Sequence, residues 1–101
     1  MNKKIVVQKY GGTSIGDVEK LKLIAKKIVD KKTEGFSPVV VVSAMGKTTD
    51  ELVDMSEKVT FNKVKPDLRE KDTLLSTGEL VSATLLAMSI KSLNIDVLSL
   101  S

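Results

Sequence analysis

IVVQKYGGTSIGDVEKLKLIAKKIVDKKTEGFSPVVVV, residues 5–42, decides the fold. Its two ends, Ile5 to Gln8 and Pro38 to Val42, are short β-branched runs bounded by Gly, Ser or Pro, the pattern of fully buried parallel strands. Between them, over Asp17 to Lys32, Leu21, Ile24, Ala25 and Ile28 fall at i, i+3, i+4 and i+7, with lysines at other positions. That spacing predicts an amphipathic helix. Gly16-Asp17 supplies an N-terminal cap and Gly35 a stop, so strand, loop, helix, turn and strand follow within the length of a βαβ unit.

Outward from this unit, Leu52, Met55, Ser56 and Val59 predict a second helix after Thr49, and the Pro-containing stretch Asn62 to Glu70 reads as a loop. Asp72 to Leu93 is helical in pattern, interrupted at Gly78. Its Leu85, Leu86, Met88 and Ile90 leave no polar face, which predicts burial on more than one side. Ile95 to Leu100 is a third strand candidate. The order β-α-β-α-α-β implies right-handed crossovers and an α/β fold: a mainly parallel sheet with helices on both faces.

At 101 residues and 42% hydrophobic content, the chain can build one core. Lysine and arginine total 16 against 13 acidic residues, and the scattered lysines form no nucleic-acid stripe. Cysteine and histidine are absent, which excludes disulfides, thiol nucleophiles, imidazole catalysis and ordinary zinc sites. Any metal would be a hard cation on oxygen ligands. The basic start Met1-Asn2-Lys3-Lys4 precedes an apolar run too short for a signal peptide, and Leu80 to Ile90 is too short to span a bilayer. These features predict a cytoplasmic protein with no membrane partner.

Three polar stretches carry the chemistry. Lys9 to Gly16 holds three glycines at the end of the first strand, but Thr13 stands where a dinucleotide fingerprint needs glycine. Gly11-Gly12 would let backbone N–H groups approach an anion, with Lys9 adding charge and the following helix its positive end. A plain strand-to-helix turn stays open beside that reading. Ser43 to Asp50 contains Gly46-Lys47-Thr48, yet Val41 occupies the place of the first P-loop glycine. It is either a second polar lip, with Ser43, Lys47 and Thr49, or an N-cap formed by Thr48 or Thr49. Glu79, in Ser76-Thr77-Gly78-Glu79, is a carboxylate in an apolar stretch, and the simpler expectation is an exposed helix-start residue stabilised by the macrodipole. Both polar loops follow strand carboxyl ends, where open α/β sheets bind ligands, and their lysines and hydroxyls suit phosphoryl transfer.

Lys-Tyr-Gly-Gly-Thr-Ser at 9–14, Val-Val-Ser-Ala-Met-Gly-Lys-Thr-Thr-Asp at 41–50 and Leu-Leu-Ser-Thr-Gly-Glu at 74–79 closely resemble three successive blocks of aspartate kinases, in family order. The resemblance covers the chain and implies the N-terminal segment of a three-layer amino-acid-kinase domain at 1–101. The rest of that domain and the ACT regulatory domains would lie beyond Ser101. It further implies transfer of the ATP γ-phosphoryl group, with Mg2+, to the side-chain carboxylate of L-aspartate in lysine, threonine and methionine biosynthesis.

By resemblance, Lys9 is the catalytic residue that stabilises the transferring phosphoryl group. Tyr10, Gly11, Gly12, Thr13, Ser14 and Ser43 join Lys9 at ATP, while Thr49 and Glu79 contact aspartate and no metal ligand is assigned. Tyr10 replaces the more usual phenylalanine, and Leu80 stands where glutamine often follows the glutamate. The family implies a homo-oligomeric parent enzyme, and the short chain alone is expected to be inactive. Two rival readings are another amino-acid kinase and a non-catalytic assembly module that uses the Leu80-to-Ile90 helix.

Overall fold

β-Branched side chains favour extended backbone. In the computed structural model, the two valine-rich runs form β1 (Lys4–Tyr10) and β2 (Phe36–Val42). The structure describes residues 4–61 and 63–100, so the reading of Met1 to Lys3 and the Asn62 end of the expected loop lie outside the described residues. The strands pair in parallel, with Val7 opposite Val39 and Tyr10 opposite Val42. This is the connection that the βαβ pattern requires.

The helix between them, α1 (Val18–Thr33), buries the expected stripe of Leu21, Ile24, Ala25 and Ile28. Burial stabilises each large aliphatic side chain by roughly 1.5–3 kcal/mol. Asp17 caps its start, its carboxylate accepting from the Lys20 N–H at 2.8 Å. Past its end, Gly35 turns the chain at φ 101°, a conformation that a Cβ disfavours.

Two further helices follow, α2 (Thr48–Val59) and α3 (Leu68–Lys91). The expected loop therefore ends at Asp67, whose side chain caps α3 by accepting from the Glu70 N–H at 3.0 Å. Gly78 does not interrupt α3. Nor is that helix buried on several sides: Gly78, Ser82, Leu86 and Ile90 form one buried stripe, while Met88 is 65% exposed. Leu86 and Ile90 meet Leu21, Ile24, Ala25 and Ile28 in the core. Ser82, fully buried, donates to the Gly78 carbonyl at 3.2 Å, which satisfies its hydroxyl without interrupting the stripe. By length and composition α3 could cross a bilayer, but a stripe packed on a neighbouring helix is what a globular core helix also presents.

The third strand does not form among the described residues; the sheet has two strands. Residues 95–100 keep a period of two, with Ile95 and Val97 turned to the core and Asp96 and Leu98 outward. With β2 and α3 this segment lines a cavity of about 640 Å³, and residues 95–100 join no ladder.

The two sheet faces differ. Val6, Gln8, Tyr10, Pro38, Val40 and Val42 are half-buried, and Tyr10, Val40 and Val42 pack on the helix core. Ile5, Val7, Lys9, Val39 and Val41 share the other face, which is exposed, so the strands are not fully buried as their unbroken β-branched runs predicted but bury one face each.

Candidate functional site

Lys9 ends the exposed face of β1, so its side chain leaves the sheet on the side away from the helix core. That side chain makes no hydrogen bond or ion pair among the described residues, and the same holds for the side chains of Lys47, Thr49 and Glu79. Tyr10 points the opposite way, into the core, and offers the loop its backbone: its carbonyl accepts from the Ser43 N–H at 3.1 Å. A ring held in the core leaves its backbone as the part of Tyr10 nearest the glycines.

After Tyr10 the chain turns, with the Ser14 N–H donating to the Gly11 carbonyl at 3.1 Å. Ile15, fully buried, anchors the turn in the core, and the Lys20 ammonium donates to the Thr13 carbonyl at 3.3 Å. The N–H groups of Gly12 and Thr13 find no acceptor among the described residues. Neither Gly11 nor Gly12 has positive φ, so backbone conformation does not explain the pair. Gly12 is explained by proximity: a Cβ there would lie 3.0 Å from the Ala44 carbonyl oxygen. Gly11 has no such neighbour. Nothing lies within 4 Å of where its Cβ would be, so its bare Cα faces open space.

The second loop, Ser43 to Lys47, lies against the first. The Gly46 N–H donates to the Gly12 carbonyl at 3.1 Å, and Gly46 itself has φ 49°, with a Cβ position 3.1 Å from the Gly16 carbonyl oxygen. Only glycine suits both the conformation and the approach. Thr48 and Thr49 are not the N-cap of α2. Lys47 holds that position, with no side-chain capping bond, and the threonines lie in the first turn.

The two helix starts differ in how they are capped: the Asp17 carboxylate caps α1, whereas α2 starts at Lys47 with no capping side chain and carries Asp50 and Glu51 in its first turn. Both positive ends are thus offset by carboxylates of the chain itself.

The third stretch reaches the other two through Gly78. A Cβ at Gly78 would be 2.9 Å from the Ala44 Cβ and 3.3 Å from the Thr48 Cγ2. Buried Ala44 thus touches both the first loop, by its carbonyl, and α3, by its methyl. Glu79 follows in the interior of α3, exposed, so the helix-start macrodipole reading fails.

Sequence reasoning missed Ile15, Lys20, Ala44 and Gly78 as the residues that hold these loops. A glycine inside a long apolar helix was the available signal, since such a residue commonly marks a close approach. The large cavity beside β2 is a different place: of the expected site residues only Glu79 lines it, among valines, leucines and alanines. It runs along β2 and α3, while the two polar loops meet elsewhere, through Gly12, Ala44 and Gly46. Among the described residues no three acidic side chains gather as a metal site.

Comparison with known proteins places these features in a group. Residues 4–101 match the amino acid kinase family. The chain is 51% identical over 86 residues to an aspartokinase of Geobacillus stearothermophilus, covering 85% of this chain and 20% of that protein. It is 45% identical over 95 residues to aspartokinase 2 of Bacillus subtilis, covering 94% of this chain and 22% of that one. The crystal structure of aspartate kinase from Synechocystis superposes with a TM-score of 0.83 at 48% identity, over 89% of this chain and 15% of that chain. The chain spans about a fifth of the length of the curated relatives it matches.

Proposed function

The chain belongs to the amino acid kinase family, and from that premise we propose that it is the N-terminal segment of an aspartate kinase catalytic domain. The observation that carries the reading is Gly11. Neither backbone conformation nor packing inside the chain demands a glycine there, and next to it in sequence stand the unpaired N–H groups of Gly12 and Thr13 and, two residues before, the unpaired ammonium of Lys9. A phosphate group suits that space.

The reaction is phosphorylation of L-aspartate on its side-chain carboxylate. A carboxylate oxygen forms the bond to the γ-phosphorus as the bond to the β,γ-bridging oxygen breaks, releasing ADP and 4-phospho-L-aspartate. No proton is removed from the nucleophile, so a chain without histidine is adequate to the chemistry. Catalysis is positioning and charge stabilisation.

In this reading Lys9 offsets charge on the transferring group. Gly11, Gly12, Thr13 and Ser14 hold ATP phosphates, with Ser43 beside them and Tyr10 contributing through its backbone. Thr49 and Glu79 take the amino acid, the carboxylate of Glu79 pairing with the substrate ammonium. ATP brings Mg2+, which supplies charge neutralisation when bound; the described residues gather no carboxylate cluster to hold it. The parent enzyme is cytoplasmic and homo-oligomeric, with aspartate and ATP as its small-molecule partners. The 101-residue chain by itself lacks appreciable turnover.

Amide NMR titration of the chain tests the assignment. Inorganic phosphate and ATP are expected to shift Gly11 to Ser14, and L-aspartate to shift Thr49 and Glu79 in preference to L-glutamate or N-acetylglutamate. Shifts from the glutamates but not aspartate would transfer the chain to another amino-acid kinase.

A further inference from the structure

Alanine is favoured over glycine inside a helix, so a glycine at the eleventh residue of α3 needs a reason outside the helix. The reason is the 2.9 Å separation between its vacant Cβ position and the Ala44 Cβ, closer than two carbons can stand. Ala44 Cβ is the first atom of a short, buried side chain and cannot swing aside.

From Ala44 the contact continues into the first loop. Its carbonyl oxygen lies 3.0 Å from the vacant Cβ position of Gly12, and two residues on, the Gly46 N–H holds the Gly12 carbonyl. On the other side, Gly78 lies 3.3 Å from Thr48 by the same measure, and the residues next in sequence are Glu79 and Thr49. One bare Cα thus touches the segments that carry both expected substrate contacts and the loop that abuts the glycines.

We propose that Gly78 is a positioning residue. Its missing side chain lets α3 seat against Ala44 and Thr48, and this sets both the approach of the second loop to the first and the spacing of Glu79 from Thr49. The assignment rests on the phosphate and aspartate reading of those loops, but its geometric half stands without it. A glycine that served α3 alone would affect only the stability of the helix; this one also sets the affinity of a loop more than sixty residues away in sequence.

The test exchanges one methyl between two positions, comparing the wild-type chain with G78A, A44G and A44G/G78A. Amide NMR of the ligand-free proteins reports Gly12 and Gly46, titration with inorganic phosphate reports the first loop, and urea unfolding reports stability. G78A is expected to shift the Gly12 and Gly46 amides and weaken phosphate binding about five- to tenfold, within the range of coupling between linked sites. In A44G/G78A the obstructing methyl is gone, so both readouts return toward wild type.

Shifts confined to α2 and α3, with Gly12 unmoved and phosphate affinity unchanged, would overturn the proposal. If G78A fails to fold, A44G/G78A carries the test: a double variant that folds with Gly12 amide and phosphate affinity near those of the wild type supports the proposal, and one in which removal of the Ala44 methyl restores neither fold nor affinity overturns it. If the wild-type chain responds to neither phosphate nor L-aspartate, the functional reading fails, and the ligand-free Gly12 amide in A44G and A44G/G78A still decides whether Gly78 sets the loop.

Discussion

Lys9, the last residue but one of β1, is exposed and its ammonium has no protein partner among the described residues, so folding gains little from its charge. Lys9→Met is therefore expected to leave the urea midpoint nearly unchanged, within about 0.5 kcal/mol, as for surface positions generally. Phosphate binding at the glycine loop should weaken about tenfold or more, the loss of one charge-assisted hydrogen bond worth about 1.5–3 kcal/mol. An unaltered titration would remove Lys9 from the site. At the same scale, Lys9, the glycines and Glu79 were legible from sequence as a cluster of types, because cations, bare backbone and a lone carboxylate are unusual in apolar surroundings. That Tyr10 turns its ring inward was legible only as alternation along a strand. The partition between Gly11, open to ligand space, and Gly12, required by its neighbour, was not legible at all.

Among the elements, the two helices that follow the loops are not equivalent. Asp17 caps α1, and its removal in Asp17→Ala should cost about 1 kcal/mol in urea unfolding. Phosphate affinity should not fall, because the substitution removes a carboxylate and no group that would bind phosphate; a large loss of affinity would bring Asp17 into the site. Gly78→Ala tests the packing of α3. Helix propensity alone favours alanine by about 1 kcal/mol, whereas forcing an extra methyl into a filled contact costs typically about 1–3 kcal/mol. With the obstructing carbon at 2.9 Å, packing decides the sign, and the variant is expected to be less stable by calorimetry. The periodicity of α1 was readable because it buries one stripe, whereas the strands, read as fully buried from their unbroken β-branched runs, bury only one face. The expectation for α3 went astray because leucines and methionines were counted as buried wherever they occurred. Its stripe is set by contacts at intervals of four, through Gly78, Ser82, Leu86 and Ile90.

For the molecule as a whole, accessible surface is the informative quantity. The chain exposes 7521 Å², against about 5,600 Å² for a monomeric protein of its mass. Its radius of gyration is 16.2 Å, where about 13 Å is usual for this length. The excess includes the uncovered sheet face, on which Ile5 is 73% and Val7 62% exposed. Such a face, with unpaired strand edges beside it, promotes association. Sedimentation velocity is expected to show concentration-dependent oligomers that Val7→Lys and Val39→Lys suppress; a compact monomer at all concentrations would count against this. Purified chain is also expected to form no aspartate-dependent ADP, and detection of that product would refute the proposal that it is inactive alone.

Sequence by itself determined the βαβ unit, the polar ends of its strands and the family. Hydrophobic spacing, caps and short motifs are local properties, and a linear text carries them in full. Only the tertiary structure decided that the three motifs meet at Ala44, that α2 starts at Lys47 without a capping side chain, and that residues 95–100 alternate like a strand without pairing. Those outcomes depend on distances between segments remote in the chain, down to the width of one methyl group, and no residue records such a distance in its own identity.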